Sequence, residues 1–64
     1  MNENTIKFKT IQLINGLKYM SEKNVDDAKH IICSDLQIEK TEENFNIIEN
    51  AIKTYFKTID SFLL

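Results

Sequence analysis

Proline, arginine and tryptophan are absent from the chain, and glycine and cysteine occur once each, as Gly16 and Cys33. Each shortage excludes something. Sandwiches and barrels turn repeatedly, and their turns draw on Gly and Pro; a chain with so few breakers reads as helical. A single cysteine forms no internal disulfide, and no Cys-x-x-Cys or paired-His spacing is present for structural zinc. The longest unbroken apolar runs, Ile31-Ile32-Cys33 and Phe62-Leu63-Leu64, fall far short of the roughly 20 residues a membrane span needs. The opening Met1-Asn2-Glu3-Asn4-Thr5 lacks the basic start and apolar stretch of a secretory signal. The expected setting is the cytoplasm, with no membrane association and Cys33 as a reduced thiol.

All eight cations are Lys. Arginine is the side chain suited to bidentate phosphate and guanine contacts, so a chain without it, with a pI near 5.2, is poorly equipped to grip nucleic acid. The net charge is −2, but it is divided unevenly. Residues 1–23 hold four Lys against two acids, and residues 24–64 hold four Lys against eight. Such opposite-signed halves attract each other within a fold or across a dimer. Ile, Asn and Lys together make up 25 of the 64 residues, a bias that fits an AT-rich genome, such as a low-GC bacterium, its phage or its plasmid.

With 42% apolar and 28% charged residues, the composition is that of a globular protein. The length suits one domain, residues 1–64. So short a chain buries only about 60% of its unfolded surface. Without disulfide or metal, it must rely on regular helix packing or self-association.

Periodicity divides the chain into three helices. Phe45, Ile48, Ile52, Tyr55, Ile59 and Phe62 are spaced 3, 4, 3, 4, 3, a heptad seam widened by Phe56 and Leu63. With Thr41 as N-cap and Glu42 and Glu43 in the first turn, this predicts a helix over 41–63, roughly 33 Å long. Val25, Ala28, Ile32 and Leu36 predict a shorter helix over 25–36, with Asn24 as its N-cap and Asp26 and Asp27 in its first turn. The first segment is ambiguous. Ile6-Lys7-Phe8-Lys9 alternates like a strand, and Asn15-Gly16 is a hairpin signal. Against that, Ile6, Leu13, Leu17 and Met20 share a helix face, with Ile14 nearby, and the alternation fails at Leu13-Ile14. A helix over 4–21 is favoured, with Gly16 costing up to about 1 kcal/mol. A second stripe, Phe8, Ile11, Asn15 and Tyr19, lies on that same helix and implies packing on two sides. The expected fold is all-α: a small three-helix domain of two long helices with a shorter one between them, expected to form a homodimer.

His30 and Cys33 lie three residues apart on a helix, with Asp26 a turn earlier. Their spacing permits a Cys–His nucleophile or half a metal site. No glycine-rich loop or oxyanion device accompanies them, so no catalytic residue, metal ligand or cofactor is assigned and the chain is not expected to be an enzyme. The acids Asp26, Asp27, Asp35, Glu39, Glu42, Glu43 and Glu49 follow no calcium-loop pattern and read as solvated helix surface and caps. The stretch Leu36-Gln37-Ile38-Glu39-Lys40-Thr41 is similar to the turn before the recognition helix of helix-turn-helix DNA-binding regulators. However, Ala28 is too far upstream to be that motif's small residue, and Glu42-Glu43 would face phosphates. The resemblance covers about six residues and supports only a secondary reading. The primary expectation is a small intracellular protein-binding regulator, an inhibitor or adaptor acting by occlusion. Its partner-binding face would be Phe45, Ile48, Ile52, Tyr55, Phe56, Ile59, Phe62 and Leu63. The apolar end Phe62-Leu63-Leu64 favours a contact beyond one copy's own core.

Overall fold

The computed structural model describes residues 1–17 and 24–63, in three helices: α1 over Glu3–Leu17, α2 over Val25–Leu36 and α3 over Glu42–Leu63. Among the described residues there is no strand, and the hairpin alternative for the first segment is excluded because Asn15 and Gly16 lie within α1. The part of the expected first helix beyond residue 17, with Tyr19 and Met20, lies outside the described residues.

The helix ends have local causes. At the start of α1 the Asn2 side-chain oxygen accepts a hydrogen bond from the Thr5 N–H at 2.8 Å, and the Asn2 carbonyl accepts from the Ile6 N–H at 3.0 Å. Asn2 is therefore the N-cap, satisfying donors that the helix itself leaves unpaired. Thr41 has the same role for α3, its hydroxyl accepting from the Asn44 N–H at 3.2 Å. The Asn44 amide also donates back to the Glu39 carbonyl at 2.8 Å, tying the α2–α3 connection to the first turn of α3. Asn24 precedes α2 as expected, but its side chain makes no cap bond, and its backbone stands at φ −106°, ψ 22° rather than in the extended conformation of a capping residue.

Helix α2 stops at Gln37, which takes the left-handed conformation at φ 57° and ψ 43°. Its N–H bonds the Ser34 carbonyl at 3.2 Å, and the Ile38 N–H bonds the Cys33 carbonyl at 3.1 Å. This is the paired bonding of a Schellman end, with Ile38 as its apolar follower; Ile38 packs against the core.

α3 packs against both other helices, and α1 and α2 touch each other less extensively. The core is Ile6 and Ile14 from α1, Val25, Ala28, Ile32 and Cys33 from α2, and Ile47, Ile48 and Ile52 from α3. Ala51 and Thr10 are buried with them. Ala51 and Ile47 lie outside the 3–4 spacing of the expected seam. The inward face of α3 is thus wider than that seam, as a helix lying between two neighbours requires. The longest dimension of the molecule, 36 Å, matches the length of α3. Among the described residues no helix is long and apolar enough to cross a membrane.

Candidate functional site

The eight α3 residues expected to meet a partner are largely engaged within the chain. Ile48 and Ile52 are wholly buried in the core, and Phe45, Tyr55, Phe56 and Ile59 are half-buried. The side chains of Phe62 and Leu63 lie outside the described residues. The half-buried aromatics join the helices to one another. The Phe45 ring lies 4.8 Å from the His30 ring, tilted by 55°, and Lys29 Nζ stands 5.7 Å from its centroid. The Tyr55 hydroxyl donates to Asn15 Oδ1 at 3.1 Å, bridging α3 to α1. Tyr55 and Phe56 pack edge to face at 5.4 Å.

The His30–Cys33 pair is divided by its surroundings. His30 is exposed and lies against Phe45, while Cys33 is fully buried. Burial pushes the Cys33 thiol up from its ordinary range, with the Lys40 ammonium pulling weakly the other way. A nucleophilic cysteine needs the thiolate, and burial favours the thiol. Asp26 is engaged elsewhere, 3.2 Å from Lys29 Nζ. Lys29 also approaches Glu49 at 3.9 Å, and Glu49 approaches Lys53 at 3.9 Å. This run of alternating charge bridges α2 and α3. Among the described residues no group of three His, Cys, Asp or Glu side chains is placed to hold a metal.

Among the described residues, the larger open apolar surface is on α1. Its two apolar stripes have separate fates: Ile6 and Ile14 turn inward with Leu13 beside them, while Phe8 and Ile11 turn out, 63% and 37% exposed. Helical geometry dictates the split, because Phe8 lies about 200° around the axis from Ile6. Lys7 and Lys9, both exposed, flank Phe8 about 100° to either side. Beside Ile11 an open groove of about 170 Å³ runs between α1 and α3, lined by Lys7, Ile11, Asn50, Ala51 and Thr54. The outer face of α2 has a smaller counterpart. Ile31 is 43% exposed there, with Asp27 and Asp35 exposed one turn before and after it.

This surface can be recognised by apolar contact with charge at its edge. Its sequence signal is the second stripe on α1, of which the structure leaves Phe8 and Ile11 exposed while Asn15 accepts a hydrogen bond from Tyr55 of α3. No protein-family model, curated protein or solved structure matches the chain.

Proposed function

We propose that the chain is a small intracellular protein-binding regulator, an inhibitor or adaptor that covers a surface of another protein, and that it pairs with itself when that target is absent. The exposure of Phe8 carries this reading. A phenylalanine nearly two-thirds exposed in the middle of a helix, with Ile11 and an apolar-floored groove beside it, contributes little to the chain's own core. Exposed apolar patches rimmed by polar groups are a common feature of protein contact sites. Large aromatic side chains are the usual anchors of such contacts, and Lys7 and Lys9 would orient a target with an acidic rim. The target face is therefore assigned to α1 rather than to the inward seam of α3. The chain's size and coding bias fit a phage or plasmid element.

The test is capture from an extract of the source organism by immobilised wild-type chain and by Phe8→Glu. A protein retained stoichiometrically by the wild type and lost from a Phe8→Glu variant of unchanged helicity supports the assignment. Equal retention by both would remove the α1 face from consideration. Salt-dependent retardation of duplex DNA by the wild type would instead favour a DNA-binding regulator.

A further inference from the structure

We infer that the partner covering the outer face of α1 is, in the absence of a target, the outer face of α2 in a second copy of this chain, and that this pairing competes with target binding. The inference rests on the reading of α1 as a contact face and adds the identity of one occupant.

Three observations support it. First, the exposed large apolar side chains among the described residues are Met1, Phe8, Ile11 and Ile31. Apart from Met1 at the end, they form just two patches, one on α1 and one on α2. Second, the patches have opposite borders. Phe8 stands between Lys7 and Lys9, and Ile31 between Asp27 and Asp35. Third, these charges are little used among the described residues. Among the described residues Lys9, Asp27 and Asp35 form no ion pair, and Lys7 has only a 4.0 Å approach to Glu3 on the exposed surface.

The geometry of the two borders suggests how they meet. Lys7 and Lys9 lie to the left and right of Phe8 across the axis of α1, whereas Asp27 and Asp35 are separated along the axis of α2 by roughly 12 Å. Crossing the two helices steeply, with Phe8 against Ile31, sets one lysine toward each aspartate. Each copy carries one patch of each kind, so two copies related by a two-fold axis can make the contact twice and close the assembly at a dimer. Ile11 and its groove would be covered along with Phe8. That is why self-pairing and target binding exclude each other.

The experiment is sedimentation equilibrium or light scattering of the full chain at about 100 µM, a concentration that reports micromolar association. In low salt the wild type is expected at twice its 7.5 kDa mass. The dimer should weaken by about tenfold or more between roughly 0.05 and 0.5 M salt, as screening shortens the reach of the charge pairs. Two double variants are expected to be monomeric alone, Lys7→Glu with Lys9→Glu, and Asp27→Lys with Asp35→Lys. Mixed one to one they should form a heterodimer, because both of its contacts again join opposite charges. Helical circular dichroism of each variant confirms folding, and the wild-type salt series tests the inference even if a variant unfolds. A wild type of 7.5 kDa at this concentration, a mixture that stays monomeric, or growth beyond a dimer would overturn the inference. A monomeric wild type would leave the target-binding assignment of α1 standing, because that assignment depends on the Phe8→Glu capture experiment instead.

Discussion

Thr10→Val should stabilise this protein, although most substitutions in a core destabilise it. Thr10 sits in the middle of α1 at 0% exposure, and its hydroxyl oxygen is buried with no hydrogen-bond partner. Leaving a hydroxyl unpaired in a protein interior costs about 1–3 kcal/mol by mutational measure. Valine has nearly the same shape and a similar helix propensity, so the substitution removes that cost and opens no cavity. The expected gain is about 1–2 kcal/mol. For a domain of this size it raises Tm by roughly 4–8 °C per kcal/mol. Thr10→Ser is the control: it keeps the hydroxyl, loses a buried methyl, and should cost about 1 kcal/mol. Thermal and urea melts of the three proteins, followed by helical circular dichroism, give the comparison. A Thr10→Val protein equal to or less stable than the wild type would refute the reasoning. It would mean that the hydroxyl is satisfied in solution, by the carbonyl one turn back or by a buried water.

Ile52→Asp should abolish the helical signal at room temperature while Lys53→Asp leaves the melt within about 0.5 kcal/mol of wild type. Ile52 is wholly buried, and an unpaired carboxylate there costs several kcal/mol, comparable to the stability of the whole domain; similar melts would show that the inward face of α3 is misplaced. Gln37→Gly should stabilise by about 0.5–1 kcal/mol in a denaturant melt, because relief of the left-handed penalty of about 1–2 kcal/mol exceeds the glycine's extra freedom when unfolded. Gln37→Val should destabilise, and the reverse order would rule out the left-handed end of α2. For Cys33 the sign follows from its raised folded pKa. The stabilising contribution is fully present below the unfolded thiol's pKa of about 8.5 and is lost as pH rises from there through the folded value. Unfolding free energies measured across that range should fall more steeply for the wild type than for Cys33→Ala, and parallel slopes would contradict a buried thiol.

Where sequence reasoning succeeded and failed has physical reasons. α3 and α2 were legible almost to the residue because their periodicity is strong, and at α3 it coincided with the capping chemistry of Thr41. The first segment stayed ambiguous because Ile6 and Phe8 suit either structure. In a strand they would share a face, but in a helix they oppose, and the structure resolves it with Ile6 buried and Phe8 out. The Gln37 end left no signal, since the residues that announce a left-handed cap are Gly and Asn. Thr10 was missed because threonine reads as surface, and Asn24 was overvalued because residue type marks a cap's position and not its hydrogen bond. The site was the harder problem. Periodicity identifies an apolar face without saying what covers it, and Ile48 and Ile52 proved to be covered by α1 and α2 of the same chain.

That ambiguity resolves once each apolar stripe is assigned an occupant. A helix can carry two stripes and still fold with only one of them, because its packing free energy comes from the face that reaches the core. In α1 the buried residues Ile6, Thr10 and Ile14, with Leu13 packed beside them, form that face. Folding thus asks little of Phe8, which is 63% exposed; a lysine or glutamate there would propagate the helix at least as well and make the surface more soluble. Substitutions along Ile6, Thr10 and Ile14 are accordingly expected to change the melt, and on the proposed reading a substitution at Phe8 changes what the protein binds with little effect on the melt.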